Sequence, residues 1–571
     1  MNSFFKLLIT PILFLTLLSA CSDDDDPVND VPDPDPELNI VELAASNDDF
    51  SILADLIVDL GLDETLTSAN FTVFAPTNDA FNALPDGTVE SLTEDELTSI
   101  LTYHVLSGVV RSSEIEAQQD VETVQGERIL LQSNAGVTVN GSATVINPDL
   151  EASNGIIHAI DEVLLPADFR EPSIIETAEA AGGFETLLTA IESVGLTTTF
   201  QFLGDFTVFA PSDEAFETLP DGFLGSLTQD QLTEILSYHV LAQVVQSTDL
   251  TASQTAASLT GEPLWIEADG EVLVNGNATV TSPDIEASNG VIHAVDNVLL
   301  PDEFGTVVQN AIKRFNFETL VSAVVDADLV TALSDAGPFT LFAPTDEAFG
   351  NLPDGLLESL TTEQLSEILQ YHVVAADIKS TDLEAEQSVA ALTGENIFVT
   401  STSEGVLVNN QSSVVAADIN ASNGTIHGVN AVLLPNEFID VVDIASKNFN
   451  LSTLVTLVAD AGLVETLKSD GPFTIFAPVN SAFEEISETL ETLTAEQVEN
   501  VLTFHVVPQK ILSTDLNPQQ TVTTVNGEDI EVIVDGETVT VNGSATVTTV
   551  DLEGTNGVIH LIDSVLIPDN L

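Results

Sequence analysis

Histidine is the side chain whose ordinary pKa lies closest to neutrality, and it serves as acid, base or metal ligand according to its neighbours. All eight histidines of this 571-residue chain fall in four matched pairs: His104 with His158, His239 with His293, His372 with His427, and His505 with His560. The members are 54 residues apart in the first two pairs (104 to 158, 239 to 293) and 55 apart in the last two (372 to 427, 505 to 560). Such regularity offers four copies of a centre for proton transfer or metal binding, but the neighbouring residues argue against both. One pair per copy is too few for a closed zinc site, and no His-Glu-x-x-His sets two on one helix face. No Gly-x-Ser-x-Gly elbow and no phosphate loop occurs, and the single cysteine, Cys21, stands far from every pair. Asp161 follows His158 by three residues, which places it on the opposite face of a strand and disfavours a local His-Asp dyad. We therefore expect no catalytic residue, no metal ligand and no cofactor; the chemistry of an enzyme is the least supported reading.

The elements that position these histidines follow from hydrophobic period. His104 continues the stripe Leu97, Ile100, Leu101 at helical spacing, on a helix opened by the capping box Thr93-Glu94-Asp95-Glu96. The box recurs at Thr228 and Gln231, Thr361 and Gln364, and Thr494 and Gln497. His104 thus sits near a helix end, where positive charge is tolerated. His158 lies in the run Asn154-Gly155-Ile156-Ile157-His158-Ala159-Ile160 and shares a strand face with Ile156, Ile160 and Leu164. Apolar neighbours on both elements imply core imidazoles held by backbone hydrogen bonds. On this ground His158, His293, His427, His505 and His560 are read as structural.

Other elements repeat with the histidines. An amphipathic helix carries Phe50, Leu53, Ala54 and Ile57, and its counterparts start at Phe184, Phe317 and Leu451. It stops at Gly61, Gly195 and Gly462, with Asp328 in the third copy. A buried strand closed by proline, Phe71 to Pro76, has counterparts at Phe206, Phe339 and Phe473. Thr77, Ser212 and Thr345 are natural caps for a following helix. The turn Leu84-Pro85-Asp86-Gly87 recurs at Leu219 and Leu352 but not in the fourth copy. Val137 to Val145 reads as a hairpin around Asn140-Gly141. Helices first and strands later give an α+β class. The step between copies, 135 residues (104 to 239) and then 133 (239 to 372, 372 to 505), is the size of a whole domain. The expected organisation is a leader 1–20, an acidic Pro/Asp-rich tether 21–36, and four domains at 37–169, 170–304, 305–438 and 439–571.

Ten Lys and Arg face 92 Asp and Glu, a net charge of −82. That field repels nucleic acid and anionic membrane surfaces, so neither is an expected partner, whereas divalent cations or cationic partners at the acidic surface are. The acids are scattered through the domains, as in proteins of saline media, where near 1 M salt the screening length is about 3 Å. Lys6 and the apolar stretch from Leu7 to Ala20 have the layout of a secretory leader, too short to span a bilayer comfortably. Leu18-Ser19-Ala20-Cys21 resembles the bacterial lipobox, which implies lipidation of Cys21 and contact with the membrane only through that anchor. The following Ser22 and Asp23 to Asp26 resemble the surface-export signal of Bacteroidetes-type lipoproteins. The expected location is the outer membrane, exposed at the cell surface, with a periplasm-facing anchor as the alternative.

Phe71-Thr72-Val73-Phe74-Ala75-Pro76-Thr77-Asn78-Asp79-Ala80-Phe81, Tyr103-His104 and Asn154 to Asp161 together resemble the first box, the Tyr-His motif and the second box of the fasciclin (FAS1) domain. The resemblance extends over four copies and implies a compact wedge of helices packed on a β-sheet, surface-anchored, with roles in adhesion and matrix contact. It also implies partner contact at the Tyr-His positions Tyr103, His104, Tyr238, His239, Tyr371 and His372. The segment before the second box, with Asp149 and Asp284, is implicated in the same way. The fourth copy departs from the pattern with Phe504 in place of tyrosine and Val479-Asn480 after Ala477-Pro478. The expected function is a lipid-anchored adhesion or matrix-interaction protein whose four weak domains act by avidity on surface or matrix proteins or polysaccharides. The alternative is a surface glycan-binding accessory lipoprotein for nutrient capture, although one tryptophan, Trp265, leaves little stacking surface for sugars.

Overall fold

The first copy forms seven strands, Phe71–Pro76 (β1), Val105–Ser107 (β2), Gln118–Glu122 (β3), Arg128–Gln132 (β4), Thr138–Val139 (β5), Ala143–Ala152 (β6) and Gly155–Ile160 (β7). In this computed structural model they join one sheet in the order β2-β1-β7-β6-β5-β4-β3. The two sequence boxes are thus neighbours: β1 and β7 run parallel, with Phe74 opposite His158, and every other pairing is antiparallel. Both central strands are buried on both faces, which suits strands covered on both sides. Residues 38–571 are described, apart from Asp86, Asp354, Glu537 and Asn570. The expected leader, the lipidated Cys21 and the acidic tether lie outside the described residues. The chain divides into two compact units, 1–170 with the first domain and 171–571 with the other three. The three domains of the second unit repeat the seven-stranded order.

Six helices frame the first sheet: Ile40–Ser46 (α1), Ser51–Asp59 (α2), Asp63–Thr67 (α3), Asn78–Asn82 (α4), Thr88–Ser91 (α5) and Glu94–Tyr103 (α6). The expected caps form. Thr77 accepts the amide of Ala80, and Thr93 and Glu96 close a reciprocal capping box that recurs at Thr228, Thr361 and Thr494. In the fourth copy Val479 stands at the cap position and supplies no side-chain bond. The expected stop after α2 is also met, with Gly61 at φ +64° and Asp328 at φ +57° in its third-domain counterpart.

Each domain has two hydrophobic clusters. In the first, α1, α2 and the turn between them bury Ile40, Phe50, Leu53 and Ile57 against Val73 and Ile157. Phe74, Tyr103, Leu106, Ile129 and Ile160 form the other cluster. Asn154 ties the helices to the sheet: its Oδ1 accepts the amide of Ile40 at the start of α1, while its Nδ2 donates to the carbonyls of Leu66 and Ala69. Asn289, Asn423 and Asn556 make the same three bonds in the other domains. The following Gly155 is required by space, because a Cβ there would lie 2.0 Å from the carbonyl oxygen of Phe71.

One expectation is corrected. The hairpin around Asn140-Gly141 does not end at Val145; β6 continues to Ala152 through Pro148-Asp149-Leu150. The strand tolerates proline because its register with β7 shifts there, with Asp149 at φ +57°.

Candidate functional site

The helix α6 delivers His104 into the domain interior, where both ring nitrogens are taken by backbone. Its Nδ1 donates to the carbonyl of Ile100 (2.7 Å), and its Nε2 accepts the amide of Leu164 (2.9 Å). His239, His372 and His505 repeat both bonds. The sequence reading allowed positive charge here, and the structure corrects it. An Nε2 that accepts an amide carries no proton, and burial pushes all four imidazoles down to about 4, against a smaller upward pull from the helix carbonyl. These rings are neutral at pH 7.

The second histidine takes the opposite tautomer. His158 accepts the amide of Asp149 at Nδ1 (3.1 Å) and donates from Nε2 to the carbonyl of Val110 (2.8 Å). Thr72 on β1 fixes that carbonyl's loop, donating to Gly108 and accepting from Val110. The Asp149 carboxylate in turn accepts the hydroxyl and amide of Ser112. Burial raises the Asp149 carboxyl, but the Ser112 bonds and the nearby His158 and Arg111 outweigh it, and its pKa is lowered. Sequence reasoning paired His158 only with Asp161 and weighed Asp149 only as a partner contact. It missed Asp418 and Asp551, which bond His427 and His560 in the same way. The signal was present: an aspartate stands nine residues before each second histidine. Among the described residues, no three His, Cys, Asp or Glu side chains cluster so as to hold a metal.

The tyrosines point into the same interior. Tyr103, Tyr238 and Tyr371 are at most 1% exposed. Each hydroxyl donates to a backbone carbonyl, of Arg128, Pro263 and Asn396 respectively, and accepts the side-chain amide of Asn140, Asn275 or Asn409. Each of these asparagines sits at positive φ in the β5–β6 turn or its counterpart. Of the residues expected to meet a partner, the tyrosines and histidines are covered, while the Asp149 and Asp284 side chains remain about a third exposed, at 32% and 31%.

Within the unit 171–571 a lysine from the following domain covers the tyrosine. Lys447 ends the helix Val441–Lys447 and is 4% exposed. Its Nζ lies 3.1 Å from the Tyr371 hydroxyl, 3.5 Å from Glu395 and 4.8 Å from the centre of the tyrosine ring. Burial pushes Lys447 down to about 8 despite the opposing pull of Glu395. Lys313 does the corresponding work over Tyr238, donating to the carbonyl of Leu300 (2.6 Å) and to Asp302 (3.1 Å). Aromatic rings meet edge-on beside each lysine: Phe315 against Trp265 at 5.1 Å, and Phe449 against Phe398 at 5.4 Å. At the junction of the third and fourth domains a polar cleft of about 600 Å³ opens beside Lys447, lined by Glu395, Glu437, Asp551 and Glu553 among others.

The family model for the fasciclin domain matches residues 48–166, 182–301, 315–435 and 449–568. The chain belongs to the fasciclin family. Its relatives include transforming growth factor-beta-induced protein ig-h3 of the pig, 30% identical over 511 residues, covering 87% of this chain and 73% of that protein. Human periostin is 29% identical over 525 residues, covering 89% of this chain and 61% of its own length. A solved FAS1 domain pair from the insect cell adhesion molecule fasciclin I covers 44% of this chain and 97% of that one, at 18% identity and a TM-score of 0.35. Lys313 and Lys447 fall between the matched spans, so the seal over Tyr238 and Tyr371 comes from the segment that joins one fasciclin domain to the next.

Proposed function

We propose that this fasciclin chain is an adhesion protein that holds surface or matrix proteins or polysaccharides through several weak sites, without catalysis. The observation that carries the reading is the buried lysine seal, which makes domains two to four one unit with fixed spacing between equivalent faces. Fixed spacing limits the entropy lost when a second and third site engage, so weak contacts sum to useful avidity. The groups left open to a partner are mainly acidic: Asp149, Asp284, and Glu437, Asp551 and Glu553 at the cleft. We propose cationic segments of matrix components, or divalent ions bridging to acidic polysaccharides, as the matching chemistry. In the same reading Cys21 is lipidated and the acidic tether holds the domains off an outer membrane, facing outward. Glycan capture for nutrition has less support, because the one tryptophan, Trp265, is packed against Phe315.

Chains truncated after one, two or four domains, displayed at equal density, should show steeply rising retention on matrix-coated or biofilm surfaces, and the gain should fall with added salt. Equal retention by all three would defeat avidity as the mechanism.

A further inference from the structure

The fourth domain contains an apolar cavity of about 280 Å³ between its first three helices, the central strands and the histidine helix. Its walls include Val441, Leu454, Val458, Leu467, Ile475 and Leu502. The corresponding space is nearly closed in the first two domains: about 20 Å³ in the second, among Ile174, Ile191 and Phe200, and about 20 Å³ in the first, among Ile57, Leu66 and Val73. Sequence explains part of the difference. Val458 stands where the first two domains have Ile57 and Ile191, Val441 where they have Ile40 and Ile174, and Leu467 where the second has Phe200. A methylene is about the size of a water, roughly 30 Å³, so these exchanges open only a fraction of the space. The third domain carries Val307, Val324 and Leu333 at the same three positions.

We propose that this cavity is a binding site for a single aliphatic chain of roughly eight to ten carbons, the length that fills it at about 30 Å³ per carbon, with an uncharged head group. Protein interiors are close-packed, and dry apolar cavities of about half this volume take up apolar guests. The head group follows from the cavity's own polar lining. Lys468 is already bound to Asp443 (2.7 Å) and Asp440 (3.1 Å), so it offers no free charge to a carboxylate. Ser446 and Thr503 donate their hydroxyls to helix carbonyls and keep lone pairs that can accept from the O–H of a neutral head. The site lies within one domain and is independent of the adhesion reading.

The test is calorimetric titration of the full chain with 1-hexanol, 1-octanol, 1-decanol and octanoate at pH 7. The expected result is one site per chain, with affinity rising about fourfold per methylene up to decanol, and octanoate at least tenfold weaker than octanol. The triple variant Val441→Ile, Val458→Ile, Leu467→Phe, which restores the residues of the second domain, should abolish this binding while keeping or raising the thermal midpoint. Should that variant not fold, Val458→Ile alone should weaken decanol binding severalfold. Absence of binding, affinity independent of chain length, several sites per chain, octanoate binding as tightly as octanol, or undiminished binding by the folded variants would each overturn the proposal.

Discussion

The third and fourth fasciclin domains share strand order, capping boxes and paired histidines, yet differ at the end where one domain meets its successor. In the third, Tyr371 buries a hydroxyl beside Glu395, and Lys447 of the fourth domain closes over both. In the fourth, the tyrosine is Phe504, Glu531 stands where the third domain has Phe398, and one oxygen of Glu528, the counterpart of Glu395, is buried without a hydrogen-bond partner. Asn542 still holds the strand amide of Glu531, as Asn409 holds that of Phe398. The scaffold is therefore the same, and in the third domain the polar tip meets an ammonium from the next domain, as Tyr238 meets Lys313 in the second. In the second and third domains the Tyr-His motif behaves as part of a joint between domains. A free hydroxyl at the fourth position would bring desolvation without that compensation.

The largest expected effect tests what the two domains have in common. His372 and His505 are both pushed down to about 4 by burial, from 6.5 in the unfolded chain. Because the folded pKa is the lower one, the unfolded chain takes up its proton first. The stabilisation is full above pH 6.5 and is lost as pH falls toward 4, roughly 3 kcal/mol per histidine. Denaturant unfolding at pH 7, 5.5 and 4 should show parallel losses in the two domains. A fourth domain that keeps its stability at pH 4 while the third loses it would break the equivalence.

The next effect tests the difference. Lys447→Ala leaves the Tyr371 hydroxyl and the Glu395 carboxylate buried without a cation, and should cost about 2–3 kcal/mol, allowing for the partial exposure of Glu395. It should also speed hydrogen exchange in the strand Asn396–Thr402 and in the helix Val441–Lys447. Lys468→Ala, which removes a lysine 36% exposed and paired with Asp440 and Asp443, should cost under about 1 kcal/mol. Equal effects would mean that the seal over Tyr371 adds nothing special. The smallest effect comes from exchanging the rings: Tyr371→Phe should cost about 1 kcal/mol, and Phe504→Tyr should give no gain and destabilise by about 1 kcal/mol, read by thermal midpoints. A large gain from Phe504→Tyr would show that the hydroxyl is useful without a lysine over it.

Much of this was legible in the sequence because it rests on local rules. Capping boxes, the glycine stops and the alternation of Phe71 to Pro76 each depend on residues close in the chain. The burial of both histidines followed from the apolar period around them. Their charge state did not, since the amide of Leu164 that fixes His104 lies 60 residues away. The role of Asp149 was hidden for a similar reason: the strand that carries it bends at an irregular register. Phe504 was visible as a departure, but the partner of the tyrosine it replaces, a lysine in the next domain's first helix, has no counterpart in any local pattern. The widened space in the fourth domain was not legible, because single methylenes account for little of it.

An apolar void of 280 Å³, left empty, would cost on the order of 7 kcal/mol at about 24 cal/mol per Å³. That is a large share of a domain's net stability, and it makes folding of the fourth domain depend more on what fills it than folding of the first or second.

The asparagine before each second-box glycine has a consequence in chemical ageing. Asparagine followed by glycine is the dipeptide in which the next backbone nitrogen most readily attacks the side-chain carbonyl, closing a succinimide and releasing ammonia. Asn154, Asn289, Asn423 and Asn556 all occupy that context. In each, the amide oxygen and both amide hydrogens are bonded to backbone groups of another element. A side chain held at all three positions cannot swing to meet the attacking nitrogen, so the bonds that join helix to sheet also slow deamidation. Local unfolding would release that protection, and deamidation at these four sites would then record how often each domain has opened.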